Sequence, residues 1–195
     1  MFNETCDTCS YSNHLIINSP ILISNKIYQL LPFDQSHPLA LNRIMPVIGL
    51  AQSLNWLDES QYKESSIASV DMLARYHDID YVEAVLSAEN NRCIPVTLGK
   101  RYNLGRHGNS YFSKMLTRSA TTAGASILAG QLLADNEEGV IFSLAGGNHH
   151  AKKNQASGFC IFNDPVLGIL SMLDNGLQKV LYVDLDAHHG DGVQE

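Results

Sequence analysis

The sequence predicts an α/β fold organised around a mainly parallel β-sheet. Two short apolar runs rich in β-branched and aromatic residues, at 140–144 and 180–186, are typical of buried parallel strands. The clearest helix pattern of the chain lies between them, and a strand–helix–strand crossover makes its two strands parallel. Each run ends in Gly, His and Asp. Because ligands bind beyond the carboxyl ends of strands in open α/β sheets, the two ends predict one shared site.

The other elements follow from apolar periodicity and capping residues. A first strand is predicted at 21–24. Four further helices are predicted, over residues 43–57, 70–76, 80–88 and 115–134. Ser69 is the expected cap of the second, and Asp80 with Glu83 forms a capping box for the third. The fourth carries small residues that predict a close approach to the sheet.

Residues 90–113 contain several Gly and Pro residues and predict a long loop. The helix that follows the first apolar run is predicted to begin with Asp164 as its N-cap and Pro165 as its first residue. Gly176 is the expected stop. Its predicted buried stripe consists of Val166, Ile169, Leu170 and Leu173.

The second run places three chemically active side chains at spacing i, i+2, i+4. Asp184, Asp186 and His188 project to one side if the backbone stays extended. Aspartate oxygen and imidazole nitrogen together suit a borderline cation such as zinc. In the first run, His149 and His150 follow two glycines. Aspartates nearby in the fold can accept a ring N–H and fix the tautomer of an imidazole.

These residues carry a family resemblance. The segments GGNHHAKKNQASGFCIFND (146–164) and YVDLDAHHGDGVQE (182–195) resemble the two signature blocks of the zinc-dependent histone deacetylase superfamily, which includes bacterial acetoin-utilisation and acetylpolyamine deacetylases. Upstream, HPLALNR (37–43) resembles the HPxxxxR element of that family. The resemblance implies a three-layer arginase/deacetylase-like fold with a mainly parallel sheet, truncated on its C-terminal side. Residues 1–20 resemble nothing in the family and are expected to be a poorly defined segment before an incomplete domain at 21–195.

The resemblance also implies a role for each site residue. Asp186 and His188 correspond to zinc ligands. His149 and His150 correspond to the paired histidines that handle the attacking water, with His150 as general base and then acid. The remaining roles are implied as follows: Asp184 pairs with His149, Asp191 pairs with His150, Gly158 and Phe159 form the wall of the acyl-lysine tunnel, and Arg43 lies at the channel through which acetate leaves.

Further features of the family bear on what this chain can do alone. The third zinc ligand and the tyrosine that steadies the oxyanion are expected beyond Glu195, so the 195 residues alone are expected to be inactive. Backbone carbonyls around Asp184, Asp186 and His188 resemble a structural K⁺ site. The implied reaction is the hydrolysis of an acetyl amide, with an acetylated protein lysine or small amine as substrate and one catalytic Zn²⁺ as cofactor.

Composition limits the partners. The net charge of −7 and a pI near 5.5 give no electrostatic footprint for nucleic acid or an anionic membrane. No apolar run reaches the length of a membrane span, and no signal-peptide pattern opens the chain. A cytoplasmic location is therefore expected. Cys6 and Cys9 are expected to be incidental thiols, and Cys160 a small buried hydrophobic residue.

Two alternatives stay open. Ureohydrolases share the architecture and hold two manganese ions, but they carry Asp where this chain has His150. The second alternative is an inactive remnant or interaction module of the same fold. A metal titration separates the first alternative from a deacetylase, and an assay on an acetyl-lysine peptide separates the second.

Overall fold

The computed structural model describes residues 19–30, 43–136 and 139–195. Cys6, Cys9 and His37 lie outside the described residues, as does most of the predicted N-terminal segment. The strands are β1 (Ile21–Ser24), β2 (Tyr62–Glu64) and β3 (Ile141–Ser143). The helices are α1 (Ile27–Leu30), α2 (Ile44–Ser53), α3 (Val70–Leu73), α4 (Ile79–Asn91), α5 (Val96–Tyr102), α6 (Met115–Ala134), α7 (Asp164–Asp174) and α8 (Asp191–Gln194), with a 3₁₀ turn at Glu59–Gln61.

Within the described residues, the three strands form one parallel sheet in the order β2–β1–β3. Leu22 of β1 is in register with Tyr62 on one side and with Phe142 on the other. All four residues of β1 are buried, as expected for a central strand of a parallel sheet. Helices packed beside a parallel sheet confirm the predicted α/β class.

The predicted strand at 180–186 is wrong in this structure, because these residues pair with no described strand. A run of apolar residues becomes a strand only when a neighbour completes its hydrogen-bond ladder. Leu181 and Leu185 are instead 87% and 93% exposed. The segment nevertheless passes close to the end of β3, since Asp184 contacts His149.

Helix α6 is the central element, and its predicted bounds are confirmed. Ala125 packs in one cluster with Ile21 and Ile23 of the sheet. Its other close neighbour is α7, and the sequence did not predict this contact between the two helices. A Cβ added at Gly130 would lie 2.7 Å from the carbonyl oxygen of Gly168, so two glycines allow these helices to approach closely.

This close approach changes which face of α7 is buried. The predicted stripe is wrong: Leu167, Gly168 and Ser171 are buried, and Leu173 is 41% exposed. The N-cap is Asn163 rather than Asp164, because Asn163 Oδ1 accepts the backbone N–H of Val166. Gly176 follows the helix with a φ of +105° and ends it as predicted.

Two other local predictions need correction, whereas the Ser69 cap is confirmed by its bond from the Met72 N–H. The predicted loop at 90–113 contains α5, which begins directly after Pro95. Proline is well tolerated where a helix begins, so Pro95 marks the start of α5 rather than an irregular loop. Helix α4 begins after Asp78, and Asp80 lies in its first turn, where its carboxylate faces Arg101 at 3.3 Å.

Candidate active site

A cleft of about 620 Å³ opens beside the end of β3. Seven of the nine candidate site residues line it, namely Arg43, His149, His150, Gly158, Phe159, Asp186 and His188. The other two, Asp184 and Asp191, lie behind the paired histidines and contact them. The folded chain therefore brings all nine together, although they are spread over about 150 residues of sequence.

A buried carboxylate, that of Asp164, fixes the loop that carries the histidine pair. Asp164 accepts four hydrogen bonds: from the hydroxyl of Ser126 (2.6 Å), the backbone N–H of Gly147 (3.1 Å), and the backbone and side-chain amides of Asn148 (2.8 and 2.7 Å). Burial raises the pKa of Asp164, and these hydrogen bonds oppose that shift. Sequence reasoning took this residue for a helix cap. The adjacent Asn163, itself a good cap, was the signal that Asp164 was free for another role.

His149 is buried, and its partner Asp184 accepts hydrogen bonds from several donors. Its Nδ1 lies 2.7 Å from Oδ2 of Asp184. The Tyr182 hydroxyl donates to the same oxygen at 2.7 Å, and the backbone N–H of Asp186 donates to the other at 3.0 Å. The hydrogen bond from His149, followed by the other two, holds the pKa of Asp184 well below its usual range. An ionised Asp184 only accepts, so Nδ1 of His149 carries the hydrogen.

His150 has a similar partner in a more open position. Its Nδ1 lies 2.7 Å from Oδ1 of Asp191, and its ring centroid is 4.1 Å from that of His149. The His150 hydrogen bond lowers the pKa of Asp191, and the Lys152 ammonium, 3.7 Å from Oδ2, lowers it further. The Lys152 ammonium also pairs with Glu195 at 3.2 Å. With Nδ1 occupied, the second ring nitrogen of His150 is the one left for proton transfer.

Asp186 and His188 form the outer part of the site. Nδ1 of His188 lies 3.0 Å from Oδ1 of Asp186, whose carboxylate also accepts the His188 backbone N–H at 2.8 Å. The His188 ring centroid is 6.1 Å from that of His150. One carboxylate and one imidazole fit zinc as two of its ligands. Among the residues that the structure describes, no group of three His, Cys, Asp or Glu side chains could hold a metal ion.

One wall of the cleft is a tight turn. Gly158 and Phe159 both have positive φ, of +53° and +69°. A Cβ at Gly158 would collide with the ring of His150, so only glycine leaves room for that ring. Asn109 Oδ1 accepts the Phe159 N–H at 2.8 Å and holds the turn in this conformation. Asn109 was missed because it lies in a segment predicted to be a plain loop. Cys160 beside the turn is buried as predicted, and burial raises its pKa to about 11.

Arg43 lines the same cleft at the start of α2, together with a second arginine that sequence reasoning missed. The Arg118 guanidinium lies over the Tyr28 ring, 4.9 Å from its centroid. The Tyr28 hydroxyl is 3.0 Å from that of Thr122. Burial lowers the pKa of Arg118. The cleft is therefore lined by two arginine residues, which suit an anionic group.

Comparison with known proteins decides the family. Residues 37–195 match the histone deacetylase domain. The chain belongs to the histone deacetylase family. It is 32% identical to the acetoin utilization protein AcuC of Bacillus subtilis over 174 residues, which cover 89% of this chain and 45% of that protein. The AcuC of Staphylococcus aureus strain MSSA476 is 36% identical over 171 residues, 88% of this chain and 43% of the relative.

A solved structure of an HDAC homolog from Aquifex aeolicus superposes with a TM-score of 0.81 at 35% identity, covering 90% of this chain and 46% of that one. These matches confirm the predicted resemblance and the deacetylase-like α/β fold. The chain spans a little under half the length of these histone deacetylase relatives. Within the described residues, no helix has the length and apolar character needed to cross a membrane.

Proposed function

We propose that these residues form the proton-transfer side of a zinc-dependent deacetylase that hydrolyses an acetyl amide of the acetyl-lysine or acetylpolyamine type. The observation that carries the proposal is the pair of His–Asp hydrogen bonds, each 2.7 Å long, beside Asp186 and His188 in one cleft. Membership of the histone deacetylase family supports the same reaction.

Asp186 and His188 would hold the zinc ion. When bound, zinc supplies Lewis-acid chemistry: it polarises an amide carbonyl and lowers the pKa of water towards about 7. Every proton transfer is assigned to the protein. His150 takes a proton from the attacking water through its free ring nitrogen and later gives it to the leaving amine. Asp191 keeps the other nitrogen protonated, so the ring presents the correct tautomer.

His149 acts mainly electrostatically, through its hydrogen bond to Asp184, since it is buried and that aspartate already has two further donors. Gly158 and Phe159 would contact the acyl-lysine chain as it enters the cleft. Arg43, which lines the cleft together with Arg118, would bind the acetate product. The carbonyls of Asp184, Asp186 and His188 are proposed as a K⁺ site.

The direct test is release of acetate from an acetyl-lysine peptide and from an acetylated diamine, with and without added Zn²⁺. The assay needs a protein that supplies a third zinc ligand beside these residues, because the 195 residues alone are expected to be inactive. The reaction should require zinc and should slow strongly when His150 is replaced by Ala. A requirement for two manganese ions per chain would instead favour the ureohydrolase alternative. Specific binding of a protein partner without any acetate release would favour an interaction module, an alternative supported by the exposed Leu181 and Leu185.

A further inference from the structure

We infer that two neighbouring residues act as positioning residues: His77 fixes the backbone around the paired histidines, and Tyr76 fixes the backbone beside Asp191. His77 lies on the short link between α3 and α4 and does not itself line the cleft. The inference rests on the proposed function for its catalytic meaning, whereas its geometry stands independently. His77 is 2% exposed and packs against the rings of Tyr76, Tyr81 and Phe162.

Both ring nitrogens of His77 bond to the segment that follows His150. Nδ1 lies 3.0 Å from the carbonyl oxygen of Lys152 and 3.2 Å from that of Lys153. The backbone N–H of Asn163 donates to Nε2 at 3.0 Å. Carbonyls only accept and a backbone N–H only donates, so His77 must be the neutral tautomer with its hydrogen on Nδ1. One ring thus connects the two ends of the segment 152–163.

Asn163 extends this connection to the catalytic pair. Its side-chain amide donates to the carbonyl of Ala151 at 2.8 Å and approaches that of His149 at 3.5 Å. The backbone on both sides of His150 is therefore held by groups whose own position depends on His77. Burial lowers the pKa of His77 to about 4, which keeps the required neutral form at ordinary pH.

Tyr76, the residue before His77, contacts the segment that carries Asp191. The Tyr76 hydroxyl donates to the carbonyl of Gly192 at 3.0 Å. Gly192 packs so closely on the backbone of His149, His150 and Ala151 that a Cβ there would collide with it. Since Asp191 precedes Gly192, two neighbouring side chains of one link set the distance between His150 and its carboxylate.

The test uses the whole 195-residue protein with labelled histidine and reads the Nδ1–H resonance of His150 by NMR, beside the melting temperature. His77→Phe keeps an aromatic ring but removes all three hydrogen bonds. The His150 resonance should be lost or broadened in this variant, and it should be partly recovered in His77→Gln, whose amide can still accept from Asn163. Tyr76→Phe should shift the same resonance and is the variant to read if His77→Phe does not fold.

The matched control is Ser171→Ala, which removes a buried hydrogen bond to the carbonyl of Ile127 in the α6–α7 contact. It should lower the melting temperature without moving the His150 resonance. If His77→Phe or Tyr76→Phe behaves like this control, the inference is overturned. Because this readout needs no turnover, a shifted resonance supports the positioning role even in an inactive chain. The proposed function would be rejected separately, if a protein that supplies a third zinc ligand beside these residues released no acetate.

Discussion

Nδ1 of His149 lies 2.7 Å from Oδ2 of Asp184, and this contact joins two segments that are 35 residues apart in sequence. The neighbouring His150–Asp191 contact has the same length, but its surroundings differ. The His149 side chain is 8% exposed and that of His150 is 20% exposed. The more accessible ring is better suited to exchanging protons with a substrate, so the two histidines should differ in function.

This difference predicts unequal effects of removing each ring. In an active protein that contains these residues, His150→Ala should lower kcat by roughly 10²–10⁴-fold, the usual contribution of a general acid–base group. His149→Ala should lower it less. Steady-state kinetics give the comparison, and metal analysis is the control, because neither residue is proposed as a ligand. Equal loss of zinc from both variants would reject these roles.

Asp164 should contribute strongly to stability. In Asp164→Asn one acceptor oxygen becomes an NH₂ group that faces N–H donors, which leaves buried hydrogen-bonding groups without partners. We expect the free energy of unfolding to fall by about 2 kcal/mol or more. For a chain of this size, that corresponds to a melting temperature about 4–8 °C lower.

The control for this change is Asp174→Asn at the exposed ion pair with Arg75. An exposed ion pair contributes little to stability, so this variant should melt near the wild-type temperature. Calorimetry of the two variants gives the comparison. Equal melting temperatures would show that Asp164 does not anchor the loop.

His77 predicts an acid-sensitive component of stability. Its pKa is lowered from 6.5 to about 4 in the folded state by burial, against the raising effects of the Lys153 and Lys152 carbonyls and of Asp78. The unfolded chain therefore binds a proton more readily between these values. The contribution of neutral His77 to the free energy of unfolding is fully present above pH 6.5. It is lost as the pH falls towards 4, by about 3 kcal/mol in all.

Urea unfolding at pH 7 and at pH 4.5 measures this component. Other groups also titrate in this range, so the informative quantity is the difference between wild type and His77→Gln. The variant should lose less stability on acidification, since glutamine does not titrate. An unchanged pH dependence would mean that another group causes the acid sensitivity.

Substitution of Arg43 tests its proposed role in acetate release. Its side chain makes no capping hydrogen bond to α2, and Arg43 is exposed, so its removal should cost little stability. In an active protein, Arg43→Ala should slow turnover with little change in apparent substrate affinity. Arg101→Ala, at an exposed ion pair with Asp80, is the matched control and should leave turnover unchanged. A large fall in melting temperature with normal turnover would assign Arg43 a structural role instead.

The sequence predicted the long elements and the cleft residues better than it predicted their supports. Helix α6 has twenty residues, enough for periodicity to mark both ends, whereas α5 has seven and was taken for loop. Residues 180–186 have the composition of a strand, but strand formation also depends on a neighbour, which composition does not encode.

The supporting residues act through contacts that are distant in sequence. Asp164 holds amides 16 and 17 residues away, and His77 accepts a hydrogen bond from a residue 86 positions away. Asn109 supports Phe159 across 50 residues. Each is a single polar residue without a periodic pattern, so only the folded chain reveals the partner of its side chain.

The metal site gives the last prediction. Asp186 and His188 offer two donors on side chains that are 52% and 79% exposed, and no third donor joins them among the described residues. A catalytic zinc ion normally has three protein ligands and a water molecule. We therefore expect the 195-residue protein to bind Zn²⁺ weakly and to lose it on dialysis, which metal analysis of the dialysed protein measures.

Asp186→Ala should abolish the residual binding, whereas Asp174→Ala, which removes an exposed carboxylate elsewhere on the surface, should not change it. Without bound zinc, no hydrolysis of an acetyl-lysine peptide is expected from these residues alone. A protein that retains one zinc ion per chain through dialysis would contradict this expectation. In that case a third ligand must come from residues outside the described ranges or from a second copy, and zinc analysis at increasing protein concentration would distinguish the two.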